Sequence, residues 1–494
     1  FTVVLNAQPA SNVVLIVTSS DTGEATVNTP LTFTNANWNT PQTVTVTGVD
    51  DNLVDGTITS TITIAVDDAN SDNNFDAVAD QTVSATTTDD DVAGFTVAQT
   101  DGSTTVAETG TTDTFTVVLN AQPVSDVVLT ITSSDTGEAT VNSPLTFTNA
   151  NWSTPQTVTV TGVDDNLVDG TITSTVTIAV DDASSDNDFD AVADQTVSTT
   201  TTDDDVAGFT VAQSGGSTSV AETGTTDTFT LVLNAQPASN VVLLISSSDT
   251  GEATVNTPFT FSTENWNTPR TVTVTGVDDD LVDGTITSTV TITVDDANSD
   301  DTFDAVADQT VSTTTTDDDV AGFTVAQSGG STTVDESGTT DTFTVVLTAQ
   351  PTSNVVLTIT SSDTGEATVN SPLTFTNANW NTPQTVTVTA VDDSGVVDGD
   401  QVSTLTVAVN DANSDDTFDA VADQTVSATT TDDDVAGFTV TETGGSTTVA
   451  ETGTTDTFTV VLTAQPASDV VLSISSADTD EASVAPSSVT FTTG

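Results

Sequence analysis

The chain has 494 residues and sets 73 Asp and Glu against a single Lys or Arg, Arg270, for a formal charge of -72. It has neither His nor Cys, which removes the usual general base, thiolate metal sites, disulfides and every Ser/His or Cys/His nucleophile pair; with one cation, Schiff-base and lysine crosslink chemistry go too, so no enzyme is expected. Such charge repels phosphate backbones and anionic lipid headgroups, and no apolar run approaches the roughly 20 residues of a membrane-spanning helix, so neither nucleic acid nor membrane insertion is expected and cations are the natural partner.

Self-comparison divides the chain. The string DTFTxVL recurs with its Phe at Phe115, Phe229, Phe343 and Phe458, and a triple Asp closes each copy. Complete copies run 92–205, 206–319 and 320–434, the last one residue longer within VDDSGVVDGDQ. They are flanked by partial copies, 1–91 without the opening segment and 435–494. A period this long is a whole domain rather than a solenoid turn. The chain opens in mid-pattern on FTVVLNAQ, which reads as a portion of something longer.

In 92–205 the expected strands, in order, are AGFTVAQ with STTVA, DTFTVVLNA, DVVLTITS, SPLTFTN, QTVTVTGV, TSTVTIAV and ADQTVSTTTT. Most alternate apolar residues with Thr, whose branched Cβ suits a pleated surface. Seven antiparallel strands in a domain of this size predict an all-β fold: tandem immunoglobulin-like, Greek-key β-sandwiches forming an elongated rod, each copy about 40 Å long. No Gly/Ser or Pro-rich linker separates the copies, and VAG follows DDD directly, which favours stiff junctions.

Successive loops of such a sandwich alternate between its ends, so the loops after the first, third and fifth strands share a tip with the finish of the seventh. In 92–205 these carry Glu108 and Asp113; Asp135 and Glu138; Asp164, Asp165 and Asp169; and Asp203, Asp204 and Asp205. In 206–319 the set is Glu222, Asp249, Glu252, Asp278, Asp279, Asp283, Asp317, Asp318 and Asp319. In 320–434 it is Glu336, Asp363, Glu366, Asp392, Asp393, Asp398, Asp432, Asp433 and Asp434, and in 1–91 it is Asp50, Asp51, Asp55, Asp89, Asp90 and Asp91. Carboxylates gathered without a compensating cation repel one another. A hard divalent ion answers that repulsion, and calcium, with six to eight oxygen ligands in flexible geometry, suits a donor set of oxygen alone; magnesium ranks second. The other tip carries the loop before the last strand, with Asp181, Asp182, Asp186, Asp188 and Asp190, and in the next copy Asp295, Asp296, Asp300, Asp301 and Asp304. That loop is expected to face the preceding copy's triple Asp, so that metal at the seam would weld neighbours. The one Trp per copy, Trp38, Trp152, Trp266 and Trp380, is expected to plug an open end.

The segments VAETG, LTFTNANWSTPQTVTVTGVDDNLVDG and TTTTDDD, in that order, resemble Calx-beta domains and their bacterial adhesin relatives. The resemblance implies calcium-binding sandwiches that serve as tandem extenders in large surface proteins, with Glu108, Asp164, Asp165, Asp169 and Asp203 to Asp205 on ligand positions, and their counterparts in 206–319. The family's GTA-x-x-x-x-DY segment is missing, which leaves open whether Asp135 or Glu138 supplies a ligand. The thinner acidic run after Asp169 implies fewer ions than the family maximum. The expected role is a secreted or cell-surface stalk or filament module, with several calcium ions per chain at the interdomain junctions; a calcium-dependent adhesin module holding glycan or a surface partner is the alternative. Identical subunits completing one another's partial copies by strand donation would make the filament a polymer.

Overall fold

The computed structural model describes residues 1–393 and 395–494; Ser394, in the longer stretch VDDSGVVDGDQ, lies outside the described residues. The chain is all-β, a tandem of immunoglobulin-like sandwiches. Residues 92–205 form strands β1 (Phe95–Gln99), β2 (Thr104–Ala107), β3 (Thr112–Leu119), β4 (Val127–Ser133), β5 (Ala139–Val141), β6 (Leu145–Phe147), β7 (Gln156–Gly162), β8 (Ile172–Val180) and β9 (Gln195–Thr202). One sheet has the order β2-β9-β8-β4-β6 and the other β5-β7-β3-β1. Both sheets recur in 206–319 and 320–434, and residues 1–91 keep the four-stranded counterpart of β6-β4-β8-β9.

The count is nine strands where seven were expected. The opening segment divides because its turn needs two left-handed residues, Asp101 (φ 56°) and Gly102 (φ 81°), met by Gly215 and Gly216 in the next copy. The chain thereby changes sheets: β1 pairs antiparallel with β3, and β2 pairs parallel with β9. The three-residue β5 sits inside what reads from sequence as the third loop. It pairs with the end of β7 and extends that sheet toward the acidic tip.

Alternation decides the faces. Phe115, Val117 and Leu119 of β3 are buried, as are Val127, Leu129 and Ile131 of β4 and Val158 and Val160 of β7. Each such side chain contributes roughly 1.5–3 kcal/mol by leaving water. Trp152 packs half-buried against this core, while Phe189, from the loop before β9, is completely buried in it. A short 3-10 turn delivers Phe189, and Asp186 organises it. Its carboxylate accepts from Ser125 N at 2.7 Å and from Asp188 N at 3.2 Å. Asp72, Asp300 and Asp415 bind backbone N–H groups in the same way. Of the five acids expected to face the preceding copy's triple Asp, Asp186 is therefore spent within its own copy.

The seams carry a further contact. The loop after β7 reaches the loop after β3 of the following copy: Val54 N donates to Gln122 O at 2.9 Å and Gln122 N to Asn52 O at 2.7 Å. Leu53 and Gln122 form a parallel bridge, repeated by Leu167 with Gln236 and Leu281 with Gln350. Val54, Val168 and Val282 are buried, and each belongs to the hydrophobic core of the copy that follows it. Asp188 does come close enough to Asp55 of the preceding copy to repel it.

Candidate metal centre

β2 leaves the sandwich interior at Ala107 and the next residue is Glu108, whose N donates to Thr202 O at 3.1 Å, holding it beside the end of β9. β5 begins immediately after Glu138, and Val163 N, just past β7, donates to Glu138 O at 2.9 Å. The turn between β7 and β8 is pinned from the other side: Asp203 Oδ2 accepts from Asp169 N at 3.1 Å and Gly170 N at 2.8 Å, and its Oδ1 from Asp205 N at 2.7 Å. At Gly162 a Cβ would lie 2.1 Å from Ala107 O, so the approach is close there, while in 320–434 the same position is Ala390.

The outcome is two groups of carboxylates sharing one member. Oxygens of Glu108, Asp165 and Asp205 lie within 4.8 Å of one another, and so do oxygens of Glu108, Glu138 and Asp169. In 206–319 the groups are Glu222 with Asp317 and Asp319, and Glu222 with Glu252 and Asp283; in 320–434 Glu336 meets Asp432 and Asp434. Glu108, Glu222 and Glu336 are each 1% exposed. Both carboxylate oxygens of Glu222 and Glu336, and Oε2 of Glu108, have no hydrogen-bond partner, nor do Oε2 of Glu138 and Glu252 or Oδ1 of Asp169 and Asp283. Buried polar atoms are ordinarily satisfied, so unmet acceptors at the same places in successive copies need a physical reason.

Electrostatics point the same way. Burial first, then the charges of Asp203, Glu138, Asp165 and Asp169, push Glu108 up to about 7. Burial with Asp317, Asp279, Glu252 and Asp283 does the same to Glu222, up to about 7, and burial with Asp393, Glu366, Asp432 and Asp398 to Glu336. Glu138, Asp169 and Asp205 are also raised, in each case mainly by burial. Among the described residues no Lys or His could relieve them, and Arg270 sits elsewhere, donating to Thr260 O at 3.2 Å with its guanidinium 5.9 Å from the centre of the Phe261 ring.

The expected residues divide by what they touch. Of the pair left open by sequence, Glu138 points into the cluster, whereas Asp135 is exposed and its Oδ1 accepts from Gly137 N at 3.0 Å, closing its own turn. Asp249 and Asp363 do likewise with Gly251 and Gly365. Asp113 binds Thr105 N at 2.8 Å, clamping β2 to β3. Asp164 and Asp204, with Asp278 and Asp318, are exposed at the rim, outside these groups. Asp203 braces the turn, and Asp317 does the same while also belonging to the Glu222 group. In 1–91, Asp89 braces Asp55 and Gly56 as Asp203 does its partners, but no residue of that copy corresponds to Glu108. Glu24, the counterpart of Glu138, is raised by burial and by Asp55, Asp51, Asp21 and Asp89, a participant the sequence reading left out. The docking Gln residues carry a signal of their own in the sequence, since AQP recurs in every copy.

No family model and no curated protein matches the chain. Among solved structures it is similar to an I-band fragment of titin, at 9% identity over 69% of this chain and 96% of the fragment, TM-score 0.23. A cis-dimer structure of protocadherin gamma B7 gives 13% identity over 87% of this chain and 95% of that one, TM-score 0.30. The CBD12 fragment of CALX1.2 gives 10% over 44% and 99%, TM-score 0.19. Likeness at these values decides neither ligand nor role. Among the described residues no helix is long and apolar enough to cross a membrane.

Proposed function

We propose that the chain is a structural stalk or filament module of an extracellular or cell-surface protein, in which each acidic tip holds calcium and the bound ions stiffen the tandem. The observation that carries this reading is the shared glutamate. Glu108, Glu222 and Glu336 are buried at the same place in three copies, each within an acidic group and with at least one carboxylate oxygen lacking a partner; Glu108 and Glu222 stand where two such groups meet. Oxygens bound to one calcium at about 2.4 Å are at most about 4.8 Å apart, which is the spacing of these groups, and a carboxylate with two free oxygens can bridge two ions. An all-oxygen donor set disfavours zinc and copper, and the irregular arrangement suits calcium better than the octahedral preference of magnesium. Filling the tip would remove mutual repulsion and desolvation cost together.

The reading is tested on the whole chain by titration calorimetry and small-angle scattering. Calcium should bind at least one ion per complete copy with magnesium competing poorly, and EDTA should shorten the maximum dimension. Heatless titration and a scattering profile indifferent to EDTA would refute it.

A further inference from the structure

Between β7 and β8, five consecutive residues serve two masters. Asp165 and Asp169 belong to the two acidic groups of their own copy. Between them, Asn166 O accepts from Gln236 N of the next copy at 2.6 Å, and Val168 N donates to Gln236 O at 2.9 Å. Leu167 N is held by Asp165 Oδ1 at 2.6 Å, and Asp169 N by Asp203. The Val168 side chain, 9% exposed, completes the core of residues 206–319 that includes Phe209, Leu233 and Ala235. Gln236 is anchored in turn, its Nε2 donating to Thr263 O at 3.0 Å, as Gln122 and Gln350 bind Asn149 O and Asn377 O.

We infer that each acidic tip acts on the copy that follows it: ordering the loop by metal steadies the Val already seated in the next core, so the ion held by one copy raises the stability of its C-terminal neighbour. The coupling has a direction, since among the described residues no copy lends a comparable residue backward through this contact. The physical path is short, because the positions of Asp165 and Asp169 fix the loop that lies between them. This inference rests on the metal reading for its ion-dependent half; the apolar docking stands without it.

The sequence supplies a selective reporter. With no Lys and one Arg, trypsin has a single target bond, Arg270–Thr271, at the start of a strand of residues 206–319 that is paired on both sides. Cleavage then tracks the open population of that one copy when closing outpaces cutting. The experiment is native trypsin digestion of the full chain, with protease activity normalised on a small ester substrate, in EDTA and in calcium. In EDTA, Val168→Ala should speed cleavage about tenfold, as loss of buried methyl groups from that core implies, whereas Val282→Ala, which empties the next core instead, should change it little. Calcium should slow cleavage of the parent chain, and Glu108→Gln, in a different copy from the cut bond, should blunt that protection. Exchange of the amides of Val241–Ser247, a segment VVLLISS found once in the chain, checks that the cut reports on the whole copy rather than on its turn.

Equal effects of Val168→Ala and Val282→Ala on both readouts, or none from Val168→Ala, would overturn the coupling even if calorimetry shows calcium bound. Unequal effects of the two variants without calcium binding would instead keep the docking and discard the metal reading.

Discussion

Replacing the shared glutamates by glutamine, in a triple variant Glu108→Gln, Glu222→Gln and Glu336→Gln, should stabilise the chain without calcium and destabilise it with calcium. The sign follows from the titration. An ordinary Glu releases its proton near 4.5, whereas these hold theirs to about 7 in the folded chain. Between those values the folded state binds more protons than the unfolded one, so metal-free stability falls as pH rises from 4.5 to about 7 and then levels off. At about 1.4 kcal/mol for each tenfold change in proton affinity, each site forfeits at most roughly 3 kcal/mol at pH 8, and less where water screens the open edge of the cluster. Glutamine is close to isosteric, carries no charge and offers an N–H₂ group to neighbouring carboxylates. The assay is urea unfolding followed by the fluorescence of the four Trp residues, Trp38 and one in each complete copy, Trp152, Trp266 and Trp380, at pH 5 and pH 8 with EDTA or calcium. The variant should raise the EDTA midpoint at pH 8, flatten its pH dependence and lose most of the calcium-induced gain. A lower midpoint in EDTA at pH 8, or full retention of the calcium response, would refute both the electrostatic and the metal argument.

Two further perturbations separate the acidic tip from the rest of the sandwich. Asp415 is held down to about 2, although burial pushes it upward, by hydrogen bonds from Thr352, Thr417 and Ser353; it should contribute about 2 kcal/mol that is present above pH 3.8 and lost as pH falls through about 2. Asp415→Asn should therefore lower the Trp380 unfolding midpoint at neutral pH while leaving calcium stoichiometry unchanged, and a change in stoichiometry would place this acid in the wrong role. Phe189→Ala empties a fully buried site and should cost about 3–5 kcal/mol, seen as early unfolding of the Trp152 copy; a loss under 1 kcal/mol would mean that the loop before β9 is not part of the core.

How far the sequence could be read depended on what each residue answers to. Period-2 alternation in DTFTVVLNA or TSTVTIAV responds to one demand, a face in and a face out, and so it declares the strands and the sandwich. The convergence of Glu108, Glu138, Asp165, Asp169 and Asp205 was legible for the same reason, because loop parity in an antiparallel fold is fixed by topology. What escaped is set by tertiary contact. AGFTVAQ and STTVA look like one interrupted strand until two left-handed turn residues send them to opposite sheets. ATV is too short to carry a period of its own and becomes β5 only against the end of β7. Asp135 and Glu138 are chemically equivalent in a string; they separate because one sits where its Oδ1 reaches Gly137 N and the other where the backbone turns it inward. Asp186 reads as one more surface acid, yet one of its partners, Ser125 N, lies some sixty positions back in the chain, beyond any local pattern.

The longer third copy shows which part of the loop resists change. There VDDNLVDG becomes VDDSGVVDG, and the added residue falls before the Val–Asp pair, so that Val397 still immediately precedes Asp398 as Val168 precedes Asp169. The backbone contact to the following copy survives and lengthens: Val396 and Val397 pair in parallel with Gln465 and Pro466, in place of the single bridge made by Leu167 and Gln236. Between the first aspartate and the docking segment the chain tolerates slack, because Asp393 now reaches Val396 N at 3.2 Å across three residues instead of two. Between the docking valine and the last aspartate it keeps none. A residue inserted there would turn one of the two away, since successive side chains in extended backbone point to opposite sides. The adjacency of an apolar plug and a carboxylate is thus the element by which charge at one tip and packing in the next copy are made a single mechanical unit.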